Sequence, residues 1–276
     1  MIQDITLGQY YPAKSPLHQL DPRVKLVGTL LYIISLFVLH NLAGLILATC
    51  ALIALIAVSQ VPFGFMVRGL RAIFILMLIT ALLNLIFTPG TDLVQIWRIH
   101  ITWQGMRSAG FMIVRLSYLV IGTSLMTLTT TPNRLTDGLE TLLRPLNRVR
   151  VPVHEIAMMM SIALRFIPIL VEETDKIMKA QMARGADFET GNMLKKAKNM
   201  IPLLVPLFVA AFRRANDLAL AMEARCYQGG DGRTRLKPLR YVAGDRIAYL
   251  CAWGYLVLMI CVTHWVHFSL FERWMS

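Results

Sequence analysis

Two short stretches place an arginine where a helix should run out: QMARGADFET, Gln181 to Thr190, and AMEARCYQGG, Ala221 to Gly230. In each, Ala-Arg closes an apolar-periodic segment and glycine follows, Gly185 in the first and Gly229 and Gly230 in the second. A guanidinium at a helix tip is a planar fork held at a fixed place, suited to acidic groups or exposed carbonyls in a groove of a partner protein. One basic residue in a last turn would only complement the helix dipole, and a glycine just past it is ordinary capping. Two such ends within one long insert point instead to a shared docking role for Arg184 and Arg225.

Other candidate groups are weaker. His264 and His267 are spaced to put two ligands on one helix face, but no third ligand stands near them, and they read as interfacial histidines. His18, His40, His100 and His154 have no evident partner in the sequence. Glu172, Glu173 and Asp175 alternate with Lys176 and Lys179, the pattern of a solvated helix face rather than of paired catalytic carboxylates. Arg165 interrupts the apolar run SIALRFIP and needs a partner, either an internal ion pair or a lipid headgroup. Cys50, Cys226, Cys251 and Cys261 show no CxxC or Cys/His spacing and read as buried small apolar residues. Met158, Met159 and Met160 suit an adaptable protein-binding surface as well as a core. No GxxxxGK[ST] phosphate loop is present, so any ATP must be bound by another chain.

The elements that must carry these residues follow from hydropathy. Of 276 residues 56% are apolar, and several long stretches are nearly free of charge, which marks a polytopic, all-α membrane protein. The opening MIQDITLGQYYPAKS lacks a secretory-signal pattern, so the first apolar segment is expected to stay as a membrane helix. Spans are expected near 25–40, 42–59, 70–88, 109–130 and 246–269. Arg115 within the fourth is expected to snorkel to the membrane surface. Segment 89–108, with Trp97 and Trp103, suits an interfacial belt or a helix lying on the lipid. Lys14, Arg23, Lys25, Arg68, Arg71 and the dense series from Arg134 to Arg246 fall on one side of this arrangement, which the positive-inside rule makes cytoplasmic. That rule also accounts for the net charge of +12 without a nucleic-acid partner.

Three parts result: 1–130 with four spans and a cytoplasmic N-terminus, a cytoplasmic insert over 131–245, and 246–276 with the last span and an extracytoplasmic tail. The insert is amphipathic rather than continuously apolar, with helices expected over about 132–148, 152–185 and 189–227. Pro168, Pro202 and Pro206 are expected to kink the longer two.

SPLHQLDPRVKLV at 15–27, TTTPNRLTDGLETLLRPL at 129–146, EIAMMMSIALRFIPILVEE at 155–173, QMARGADF at 181–188 and AMEARCYQGGDGRTRL at 221–236 together resemble the transmembrane T component of energy-coupling factor transporters. The resemblance covers residues from about 9 to 240, with its motifs in order. It implies an L-shaped set of membrane helices with a module of coupling helices. It implies too that the helix-end arginines engage grooves of two ATP-binding-cassette ATPase subunits, a role carried here onto Ala183, Arg184, Gly185, Ala224 and Arg225. Cys226 stands where the second motif would have glycine. A separate membrane subunit would bind the substrate, a vitamin or metal ion, at the prokaryotic cell membrane. This chain would then be non-catalytic and hold no cofactor, with ATP and Mg on the partner ATPases. Two competing readings remain at this level: a membrane-embedded lipid-modifying enzyme with a basic headgroup-binding module, and a conventional permease that binds substrate itself.

Overall fold

A computed structural model describes residues 10–39, 41–89, 92–96, 99–186, 188, 199–230 and 238–275. The chain divides into two compact units, one formed by Gly8–Gly138 and Leu239–Ser276, the other containing Leu139–Pro238.

The first unit holds the long apolar helices. Ser15 caps α1 (Pro16–Gln19), accepting from the His18 amide, and Asp21 caps α2 (Pro22–Val38), accepting from the Arg23 amide. Pro22 opens α2, where a missing amide hydrogen is harmless. Then come α3 (Leu42–Ser59), closed by Gln60 in the left-handed conformation, and α4 (Phe63–Phe87), bent by 60° between Arg71 and Ile73. A hairpin of β1 (Asp92–Ile96) and β2 (Ile99–Thr102) precedes α5 (Trp103–Thr129), whose cap is the Thr102 hydroxyl accepting from the Gly105 amide. The last helix of this unit, called α9 below, is Ala243–Met275.

Four helices are long and apolar enough to cross a bilayer, Leu42–Ser59, Trp103–Thr129, Val153–Ala183 and Ala243–His264, and the bent α4 is a fifth if it forms one span. This is the all-α, polytopic chain expected from composition, with two differences in which helices qualify. α2, at 17 residues, is short for a span, and Val153–Ala183, placed by its periodicity in the amphipathic insert, is apolar enough to count. Its second half nevertheless carries Glu172, Glu173, Asp175, Lys176 and Lys179, a charge density that hydrocarbon would not accept.

The core lies among α2, α3, α4, α5 and α9, where Leu36, Leu39, Met66, Leu128 and Met259 are almost completely enclosed. Packing is closest where α5 crosses α2: a Cβ on Gly122 would stand 2.2 Å from Cε1 of Tyr32. Tyr32 donates to the Tyr118 carbonyl at 3.2 Å, and the Tyr118 hydroxyl lies 2.6 Å from Thr49 Oγ1, so these polar groups are satisfied inside the bundle.

Several helix ends in this unit are closed by side chains from elsewhere in the chain. Lys25 Nζ donates to the carbonyls of Thr129, at 2.8 Å, and of His18, at 3.3 Å. The Asp245 carboxylate accepts from the amides of Asp21 and Val242, each at 2.8 Å, and Arg23 donates to the Leu239 carbonyl while lying over the Tyr241 ring. His18 is clamped between the Ser15 hydroxyl, 2.6 Å from Nδ1, and the Tyr11 carbonyl, 3.0 Å from Nε2. At the other end of the bundle Arg115 donates to the Leu39 carbonyl, the C-cap of α2, and Asn41 donates to the Thr263 carbonyl.

Several expectations are corrected here. Arg115 does not snorkel; it caps α2, because an open carbonyl at a helix end is a nearer partner than the membrane surface. His18 has two partners. Segment 89–108 forms a hairpin and the start of α5 rather than a surface helix, its β-branched Val94, Ile96, Ile99 and Ile101 favouring strand, while Trp97 lies outside the described residues. The four cysteines are exposed, not buried; on membrane helices outward-facing positions meet hydrocarbon, so Cys50, Cys251 and Cys261 need no protein core.

In the second unit, α6 (Pro132–Leu143), whose first turns belong to the first unit, runs into a 3₁₀ turn over Arg144–Val149, shortening the helix expected to reach 148. α7 (Val153–Ala183) and α8 (Ile201–Ala224) follow. The expected helix start at 189–198 lies outside the described residues. α7 and α8 continue across Pro168 and Pro206, and Pro202 occupies the second position of α8, where proline is tolerated.

Two outcomes test this packing. Burial pushes the His18 imidazole below its ordinary 6.5; its bond to Tyr11 opposes this and the nearby Lys25 charge adds to it. The folded chain therefore prefers neutral His18. That contribution is present above the unfolded value and lost as pH falls through the lowered folded one. Thermal stability in detergent should drop between about pH 7 and 5, and His18→Gln should flatten that part of the profile. Gly122→Ala should cost about 1–3 kcal/mol, read as a lower Tm of the detergent-solubilised chain.

Candidate functional site

The ends of α7 and α8 are built alike. At the first, the Gly185 amide donates to Met182 at 2.9 Å and the Ala186 amide to Gln181 at 3.0 Å, with Gly185 at φ +89°. At the second, the Cys226 amide donates to Glu223 at 2.8 Å and the Tyr227 amide to Met222 at 3.1 Å, with Cys226 at φ +55°. Each set is the paired closure of a Schellman motif, in which a left-handed residue turns the chain back to satisfy the last carbonyls. Arg184 and Arg225 occupy the same position in the two motifs, with backbone angles of −87°, 5° and −95°, 15°. Ala183 and Ala224 are the last helical residues before them.

Cys226 thus takes the place that glycine has at the first end. The sequence pointed to Gly229 and Gly230 as terminators of the second helix, but its closing residue is Cys226, three positions earlier than Gly229. A side chain in the left-handed region is strained by about 1 kcal/mol, and the two closing hydrogen bonds hold Cys226 there.

Because the backbone satisfies its own carbonyls at both ends, neither arginine is needed as a cap. Arg184 and Arg225 are exposed, and neither guanidinium makes a hydrogen bond or ion pair with a described residue, although each backbone amide closes the last helical turn. The alanines beside them, Ala183 and Ala224, are exposed as well.

α7 and α8 pack against each other. Gln181, near the end of α7, donates to the Pro202 carbonyl at the start of α8 (3.2 Å), and Arg214 meets Glu173 at 3.4 Å further along. The helices are antiparallel, so the start of α8 lies beside Arg184 and its end carries Arg225. A helix of 24 residues is about 36 Å long. The structure keeps the two arginines apart, one at each extremity of the hairpin.

Arg165 is exposed midway along α7 and has no ion-pair partner among the described residues. Exposed Ile156, Met159 and Met160 lie on the same helix, and Leu204, Val205, Phe208, Val209 and Phe212 line an exposed apolar stretch of α8. His154, for which the sequence offered no partner, hydrogen-bonds through Nδ1 to Glu140 Oε1 at 3.0 Å. Gly230 packs on that imidazole so tightly that a Cβ would stand 2.3 Å from its Cδ2. Among the described residues no group of three or more His, Cys, Asp and Glu is placed to share a metal ion. Sequence reasoning missed Cys226 as the closing residue and the His154 contact, since neither a cysteine at φ +55° nor a pair fourteen positions apart leaves a spacing signature.

Residues 13–236 match the model of the family described as Cobalt transport protein, CbiQ. An energy-coupling factor transporter transmembrane protein of Clostridium kluyveri is 53% identical over 265 residues, 95% of this chain and 97% of that one. Proteins of the same description from Heliobacterium modesticaldum and Bacillus subtilis are 50% and 46% identical, over 95% and 89% of this chain and 98% and 93% of theirs.

The two closures should respond oppositely to substitution. Cys226→Gly relieves the left-handed strain and should strengthen the end of α8 by about 1 kcal/mol, whereas Gly185→Val should weaken the end of α7 by at least as much. Amide hydrogen exchange at Cys226 and Tyr227, and at Gly185 and Ala186, reads the two changes directly.

Proposed function

The chain belongs to the CbiQ cobalt transport protein family, as the transmembrane component of an energy-coupling factor transporter, and from that membership we propose that it links two ATP-binding-cassette ATPase subunits to a separate substrate-binding membrane subunit. ATP and Mg belong to the ATPases in this reading, and the cargo is a micronutrient, a vitamin or a metal ion. The observation that carries it is the pair of matched helix ends. Each presents an exposed arginine on a Schellman closure, and they stand at opposite extremities of one antiparallel hairpin. Two docking points at that separation suit two partner subunits better than a single shared groove.

Binding and hydrolysis of ATP bring the ATPases together and apart, and a helix tip keyed into each transfers that movement. α7 and α8 act as levers because they are continuous helices joined by packing and by the Arg214–Glu173 pair. Their exposed apolar residues supply the surface through which displacement passes to the substrate-binding subunit. The chain performs no chemistry of its own. It sits in a prokaryotic cell membrane with the N-terminus and the 131–245 module in the cytoplasm and the C-terminus outside, as the distribution of Lys and Arg favours. Within this module Arg165, exposed among apolar neighbours, contacts lipid headgroups or a partner subunit.

Affinity capture from native membranes tests the docking role. Wild type should bring down two ATPases and their ATP hydrolysis, and Arg184→Glu or Arg225→Glu should each reduce recovery at least tenfold, the effect of about 1.4 kcal/mol. Undiminished capture with both reversals combined would show the arginines to be helix-end decoration.

A further inference from the structure

Between α6 and α7 the chain forms a short loop whose surface is neither core nor ordinary solvated turn. In the 3₁₀ turn, with 3.0 residues per turn, positions three apart stand above one another. Leu143, Leu146 and Val149 therefore form one row, and all three are exposed, Val149 to 75%. Arg144, Arg148 and Arg150 flank that row, all exposed, and no acidic residue occurs between Glu140 and Glu155.

The loop is built rather than slack. Arg150 holds a left-handed backbone at φ +61°. Its amide donates to Asn147 at 3.1 Å and the Val151 amide to Leu146 at 3.4 Å, the same paired closure that ends α7 and α8. The His154–Glu140 hydrogen bond ties the two sides of the loop together, and Gly230 packs behind His154. A left-handed arginine beside an exposed valine is a strained arrangement that the surroundings enforce, which is where a function is to be sought.

Chain reach limits where this loop can be. A Cβ on Gly138 would stand 3.1 Å from Pro22 Cβ and 3.3 Å from Leu26 Cδ1, so α6 is seated on the first turn of the apolar helix α2. Six helical residues on from Gly138 cover about 9 Å, and the 3₁₀ turn adds about 12 Å. The apolar row therefore ends no more than about 20 Å of regular backbone beyond Gly138.

We propose that the loop Leu143–Val151 is a lipid-binding foot: Leu143, Leu146 and Val149 enter the boundary between headgroups and acyl chains, while Arg144, Arg148 and Arg150 pair with phosphates of anionic lipids. The charge pattern selects this occupant. Three arginines around a narrow apolar row, with no acid among them, match the negative cytoplasmic leaflet, and an interfacial element needs to insert only about 5–10 Å. The foot would hold the start of α7 at a constant depth, giving the lever a fulcrum on the bilayer. This inference rests on the cytoplasmic placement of the module proposed above.

The test uses the full chain with its four cysteines replaced by serine, Val149→Cys labelled with an environment-sensitive fluorophore, and nanodiscs carrying a quencher on the lipid acyl chain. Nanodiscs of phosphatidylcholine alone are compared with an equal mixture of phosphatidylcholine and phosphatidylglycerol. The foot predicts strong quenching in the mixture and weaker quenching in phosphatidylcholine. Each of Arg144→Gln, Arg148→Gln and Arg150→Gln should reduce the preference about fivefold, and the corresponding triple lysine variant, which keeps the charge, should retain most of it. No quenching in either lipid, or equal quenching in both, overturns the proposal. So does burial of the label only after ATPases or the substrate-binding subunit are added, which would make the row a protein contact. A membrane-impermeant thiol reagent applied to sealed vesicles separates the two levels. If position 149 reacts from the cytoplasmic side but the label is unquenched, only the lipid foot fails; if it reacts from outside, the placement of the module fails with it.

Discussion

Every helix leaves its last carbonyls without partners inside the helix, and how this chain satisfies them decides what its basic residues are free to do. Among the apolar helices α3 closes on a left-handed residue, but the ends of α2 and α5 are met by side chains. Lys25 closes the end of α5 at Thr129, and Arg115 closes the end of α2 at Leu39. Those two cations are occupied, as charges near hydrocarbon must be. In the other unit the answer is the backbone. α7 and α8 each turn back through a left-handed residue and satisfy their own carbonyls, so that Arg184 and Arg225 stand at helix ends with nothing in the described chain to hold. The same residue type is a structural staple in one unit and an exposed, unengaged guanidinium in the other, and the difference lies in how the nearby helix end is closed.

This constraint also separates stiffness from reach. The apolar unit is drawn together at one end by Asp21, Arg23, Lys25 and Asp245, which join the N-terminal segment, α2, α5 and the start of α9 across more than two hundred positions of sequence. At the other end Arg115 and Asn41 do similar work. Such buried polar contacts specify one arrangement of helices that are otherwise held by apolar packing equally content with lipid. Among the described residues the module of α7 and α8 has few ties of that kind, chiefly Arg214 with Glu173 and Gln181 with the Pro202 carbonyl, and leaves much apolar surface uncovered. The apolar unit is thus cross-tied at both ends while the hairpin keeps exposed faces, the contrast on which the proposed lever action draws.

Much of this was legible in the sequence because it was periodic or repeated. Long uncharged runs gave the apolar helices, alternating threes and fours gave α7 and α8, and the doubled Ala-Arg singled out the two tips. What escaped was what depends on a single backbone choice or a distant partner. Cys226 has no propensity for a left-handed turn, so attention fell on Gly229 and Gly230. Arg115 looked like a charge in search of water, because its carbonyl partner lies 76 positions earlier and belongs to the end of another helix. Segment 89–108 was read by its tryptophans, although its alternating Val and Ile residues decided for a hairpin. The cysteines were assigned to a core by the habits of soluble proteins, whereas an outward cysteine on a lipid-facing helix violates nothing.

The central claim is that the two matched helix ends are the points at which the chain is driven. Placing a photoreactive amino acid at position 184 or at position 225 in the assembled transporter, illuminating native membranes and identifying the crosslinked chains by mass spectrometry tests it most directly. The account predicts that each position captures an ATPase subunit and that the two positions capture different subunit copies. Capture of lipid, of the substrate-binding subunit or of nothing from both positions would contradict it.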